Sequence, residues 1–70
     1  MIRELHALAR SWGLPVAGHG PSPTGPHLRV VVHRRTVTVL RVNGATTEAI
    51  AWGTHRDVTA KLLALAGRGP

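Results

Sequence analysis

The chain contains no cysteine, no phenylalanine, no tyrosine and only three acidic residues. Without cysteine, the disulfides and thiolate metal sites that commonly hold very small domains together are excluded, and the redox compartment is left open. Phenylalanine and tyrosine are the rings on which RNP-type single-strand binders stack bases. The two tryptophans, Trp12 and Trp52, both fit buried positions in the patterns below, so base stacking on the sheet is not expected. A single lysine, Lys61, rules out a lysine-rich tail as a mode of attachment. No apolar window approaches the length of a membrane span. The opening "MIRELHALARSWG" carries Arg3, Glu4 and Arg10 within an amphipathic pattern and does not read as a signal peptide. A soluble, cytoplasmic protein with no membrane partner is expected.

Basic residues are what the chain has in excess. Nine Lys and Arg face three Asp and Glu, a formal charge of +6 with histidines neutral. On a body this small, such an excess makes a field that attracts polyanions, RNA above all, or an acidic protein. Seventy residues form one domain, and a chain of that size buries only about 60% of the surface exposed on unfolding. Support from a partner or from a second copy in a homodimer fits that small core.

Periodicity places the elements. Leu5, Leu8, Ala9 and Trp12 follow helical spacing with Ile2 extending the stripe, and Gly13 and Pro15 stop it, which predicts a helix over residues 2–12. Residues 13–26 form a Gly/Pro-rich loop with room for at most a short strand at residues 14–17. "HLRVVVH", "TVTVLRV" and "TEAIAW" then read as three antiparallel strands. Pairing Val32 with Val37 across the Arg34-Arg35 tip aligns Val30 with Val39 and gathers Leu28, Val30, Val32, Val37 and Val39 on the core face. A loop at residues 43–46 sets Arg41 opposite Glu48, Val39 opposite Ile50 and Val37 opposite Trp52. A final helix starts at Thr54, capped in partnership with Asp57, buries Val58, Leu62 and Leu65, and stops at a left-handed Gly67, with residues 68–70 frayed. The predicted fold is α+β, in the order α-β-β-β-α, with both helices on one face of a three-stranded antiparallel meander.

The same parity exposes His27, Arg29, Val31 and His33 on the first strand and Thr36, Thr38, Leu40 and Val42 on the second. Arg29, His33, Arg34 and Arg35 are the candidate nucleic-acid contacts. Val31, Leu40 and Val42 make the face more apolar than water requires, and are the candidate protein interface. Histidine titrates in the range that RNA cleavage through the ribose 2′-hydroxyl needs. His27 and His33 stand roughly 20 Å apart along one strand and cannot share a phosphate; His19, in the loop, is the residue able to fold back towards His27. Five scattered histidines and three carboxylates show no metal-ligand spacing, and no phosphate-binding glycine loop is present, so neither metal nor cofactor is expected.

Four short motifs, spread over most of the chain, resemble the HicA-type mRNA interferase toxins. They are an amphipathic first helix ending in Trp12-Gly13, Gly25-Pro26-His27 where that family has Gly-Ser-His, "RRTVTV" in a strand, and "GTHRDVTAKLLALAG", similar to the family's final helix. The resemblance implies that His27 is catalytic, that RNA lies along a basic sheet edge, and that an acidic antitoxin-like protein covers it. "ELHALARSWGLP" and "GPH" are also similar to double-stranded-RNA-binding domains, but "THRDVTAK" lacks the Lys-Lys-x-Ala-Lys cluster such domains use on phosphates. The expectation is a small RNA-directed protein, HicA-like. The alternative is a non-enzymatic interaction module, such as a phage or mobile-element regulator, that binds a host protein through the open sheet face.

Overall fold

A computed structural model of the chain describes residues 1–18 and 23–68. Its elements are α1 (Ile2–Trp12), β1 (His27–His33), β2 (Thr36–Asn43), β3 (Thr46–Gly53) and α2 (His55–Gly67), in the predicted order. The strands form one antiparallel sheet ordered β1-β2-β3.

Each helix end has an identifiable cause. Gly13 closes α1 at φ 68°, a left-handed conformation that glycine adopts without Cβ strain, and its amide hydrogen bonds back into the last turn. Thr54 caps α2, its hydroxyl accepting from the Asp57 amide at 3.2 Å. The other end corrects the expectation: Gly67 is the last helical residue and Arg68, with φ −85°, is the right-handed cap. Residues 69–70, in the segment expected to fray, lie outside the described residues, as does His19.

One core joins the helices to one face of the sheet. Leu5, Leu8 and Ala9 of α1 meet Leu28, Val37, Val39 and Ala51 of the sheet and Val58 and Leu62 of α2. Leu8, Leu28, Val39, Val58 and Leu62 are fully enclosed; each contributes about 1.5–3 kcal/mol by leaving water. Ser11 Oγ donates to the Ala66 carbonyl at 3.3 Å, tying the ends of the two helices together. Beside β1, Val16 pairs in parallel with Leu28, through hydrogen bonds from Ala17 N to Leu28 O at 2.8 Å and from Leu28 N to Pro15 O at 2.9 Å. The short strand expected at residues 14–17 is therefore a single bridge on the outer side of β1.

The β1–β2 register agrees with the parity argument throughout, with Val32 opposite Val37 and Val30 opposite Val39. Val32, however, is 65% exposed. It has the parity of the core face but lies towards the hairpin tip, beyond the enclosed core. The β2–β3 register starts as expected, with Arg41 opposite Glu48, and closes through Asn43 opposite Thr46, so the turn proper is only Gly44-Ala45. Between Leu40 and Val39 the pairing then slips: Leu40 faces Ala49 but Val39 faces Ala51, leaving Ile50 as an extra residue. Such a bulge reverses the parity of everything beyond it. The expected pairs Val39 with Ile50 and Val37 with Trp52 are thus replaced by Val39 with Ala51 and Thr38 with Trp52. Ala51 takes the core position, 1% exposed, and Trp52 turns to the open face, 66% exposed.

Candidate nucleic-acid interface

The uncovered face of the sheet is built from cross-strand rows. Arg29, Leu40 and Ala49 form one; Val31, Thr38 and Trp52 form the next; His33 and Thr36 lead to the tip, where Arg34 and Arg35 make the turn. Arg29, His33, Arg34 and Arg35 are all exposed. The structure therefore brings these three arginines and His33 to one strand and its turn, as the sequence pattern placed them.

The turn itself is strained. Arg34 has φ 56° and is the one residue other than glycine with positive φ among the described residues. The second hairpin has glycine at the equivalent position, Gly44 with φ 62°. A side chain in this region costs roughly 1–2 kcal/mol because Cβ crowds the following carbonyl. Thr36 Oγ1, donating to the His33 carbonyl at 2.8 Å, braces the tip.

Two of the three negative side chains are paired away from this tip. Glu4, on α1, sits 2.7 Å from the Met1 amino group, and Glu48, at the other end of the sheet, sits 3.8 Å from Arg41. Arg41 also lies over the Trp12 ring, 5.4 Å from its centre, on the helical side of the sheet. Asp57, on the first turn of α2, packs beside Gly53, which pairs with Val37 at the tip end of the sheet.

His27 departs from its expected place. It has the parity of the open face, opposite Val42, but is only 4% exposed. The chain before β1 doubles back, and His27 Nδ1 lies 2.9 Å from the carbonyl oxygen of Gly25. A carbonyl can only accept, so Nδ1 carries the proton and donates. Nε2 is enclosed with no hydrogen-bond partner among the described residues. The expected exposure of His27 is thus corrected, and a ring held this way would need uncovering to meet a phosphodiester. Of the candidate protein interface, Val31 is 46% exposed, whereas Leu40 and Val42 are half-buried.

Two features escaped the sequence reading. Trp52 borders an open depression of about 370 Å³ that it shares with Ile50, Ala51, Asp57 and Lys61. A second, of about 530 Å³, places His6 and Arg10 of α1 beside Leu14, Pro15 and Val16. The helical spacing of His6 and Arg10 was visible in the sequence, but the loop that completes their depression was not. No group of three or more His, Asp or Glu able to hold a metal occurs among the described residues, and no helix among them is long and apolar enough to cross a membrane.

Comparison with protein-family models, with curated proteins and with solved structures finds no match to this chain. Function is accordingly read from the site rather than from kinship.

Proposed function

We propose that the protein binds RNA through the basic edge made by β1 and its turn. The observation that carries this reading is the gathering of Arg29, His33, Arg34 and Arg35 along one strand and tip, while Glu4 and Glu48 are paired with other cations elsewhere. Phosphates would neutralise that edge and release condensed counterions. The strained backbone at Arg34 adds support, because folding alone would be better served by glycine there. The resemblance to HicA-type toxins points to the same ligand class, and an acidic antitoxin-like protein would compete for the same cations. The catalytic part of that resemblance asks more of His27, whose ring is enclosed; binding requires nothing of it.

The test is fluorescence anisotropy of a labelled RNA at low salt, with wild type and the Arg34→Ala, Arg35→Ala double variant. Weaker binding by the variant, with unchanged thermal stability, is expected. Equal binding would remove the reading. The exposure of Val31 favours a second reading, a non-enzymatic module that docks a host protein on the open face. Loss of a captured host protein on Val31→Lys, with RNA binding intact, would favour it.

A further inference from the structure

Trp52 is the most exposed large apolar side chain on the described molecule, at 66%, and it is one of only two aromatic residues of the Phe, Trp and Tyr kind in the chain. Sequence parity assigned it to the core; the slip at Ile50 delivers it to the open face instead. Isolated surface apolar residues are ordinary, but the surroundings of this one are not. Val31 stands two strands away in the same row, across Thr38. Arg29 and His33 flank Val31 two residues to either side, on the same face. With strands about 4.8 Å apart and a rise of about 3.3 Å per residue, each of those two backbones lies roughly 12 Å from that of Trp52. Lys61 of α2 shares the depression beside the indole. Basic residues thus flank an accessible ring on the face of the sheet opposite the helices.

From this arrangement we infer that Trp52 is a stacking platform for an unpaired base, so that the ligand of the open face is single-stranded RNA. The inference rests on the RNA reading above and gives it a substrate class. An indole offers a flat, polarisable face that any nucleobase can stack upon, and it does so without sequence preference. In a duplex the base faces are already occupied by their neighbours, so the indole would find only an end. The phosphates on either side of the stacked base then meet Arg29, His33 and the tip arginines. On the helical side, Asp57 accompanies Lys61 in the depression, so the backbone of the strand is steered towards β1. A purely protein-docking face would have no use for these arginines on the β1 side unless its partner were acidic.

The experiment compares a labelled 12-mer of oligouridine with a hairpin-closed RNA duplex, using wild type, Trp52→Ala, Trp52→Phe and the Arg34→Ala, Arg35→Ala double variant. Loss of one base–aromatic contact weakens binding by about 5- to 150-fold. Trp52→Ala should show that loss for oligouridine and little change for the duplex, and Trp52→Phe should recover most of it. Because the side chain is exposed, thermal unfolding of these variants should match wild type. Oligouridine affinity unchanged in Trp52→Ala, while the double arginine variant still loses affinity, overturns the stacking role and leaves RNA binding in place. Affinity unchanged in both removes RNA binding as well. A concentration-dependent dimer that Trp52→Ala dissociates, with oligouridine affinity unchanged, assigns the indole to a second copy of the chain instead.

Discussion

Val39 stands opposite Ala51, not opposite Ile50, and this one-residue slip decides which side of the sheet Trp52 occupies. In a regular ladder the indole would have faced Val37 and the helices. With Ile50 as an extra residue, small Ala51 fills the core position and the large ring is left outside.

Tryptophan fluorescence reads that arrangement directly. In a Trp12→Phe background, Trp52 should emit like a solvated indole and be quenched by acrylamide nearly as efficiently as the free amino acid. In a Trp52→Phe background, Trp12, half-buried and covered by Arg41, should be shielded several-fold better than that. Equal protection of the two rings would restore the unbulged register.

Arg34 should show a conflict between stability and binding. Arg34→Gly relieves the positive φ and is expected to stabilise the fold by about 0.5–1 kcal/mol, or roughly 4 °C in Tm for a domain of this size. The same change removes one phosphate contact, so the slope of log affinity against log salt should fall by about 0.7 on a single strand. Arg35→Gly should reduce the slope equally without the gain in Tm. Chemical denaturation and RNA titrations at several salt concentrations check both halves. A destabilised Arg34→Gly would show that the tip is not strained.

His27 offers a separation of structure from catalysis. Its Nδ1–H donates to the Gly25 carbonyl in a buried setting, and removing the donor should cost about 1–3 kcal/mol, with a further loss from the cavity. Asparagine places an amide nitrogen where Nδ1 stands and should recover part of that stability, while supplying no acid or base for RNA cleavage. Induced expression of wild type, His27→Ala and His27→Asn, with growth and mRNA decay followed, gives the answer. If wild type arrests growth and His27→Asn is folded but harmless, the imidazole is catalytic. If His27→Asn behaves as wild type, the ring serves the fold.

Glu4 supplies a pH dependence with a defined sign. The hydrogen bond to the Met1 ammonium 2.7 Å away is the main cause holding its carboxyl below the usual carboxylate range. A carboxyl whose pKa is lower folded than unfolded adds stability above its unfolded pKa, and that addition disappears as pH falls through the folded value. Urea unfolding of wild type and Glu4→Gln should therefore give curves that differ near neutral pH and converge as pH falls through the folded value. Parallel curves would show that the ion pair does not persist in solution.

Much of the scaffold of the candidate site was legible because it depends on short-range chemistry. The Arg34-Arg35 turn follows from two valine-rich runs of period two with nothing between them but a pair of arginines. That turn carries Arg29 and His33 onto one exposed strand face. Trp52 and His27 were misplaced for different reasons. Trp52 depends on whether Ile50 or Ala51 fits beneath α2, a choice of volume in the assembled core that the alternation of apolar residues does not encode. His27 alternates correctly with Leu28, but its exposure depends on where the Gly/Pro-rich chain before it returns.

By itself the sequence determined the excess of positive charge, the order of the five elements, the β1–β2 register, the Gly13 stop and the Thr54 cap. Each of these is set by periodicity or by hydrogen bonds between residues a few positions apart. Only the tertiary structure decided that Val32 lies beyond the helices, that His27 is enclosed against Gly25, that α2 runs through Gly67, and that Ile50 bulges and turns Trp52 outward. Those outcomes depend on which surfaces meet when the two helices settle on the sheet, and close packing admits one fit where the pattern of apolar residues admits several.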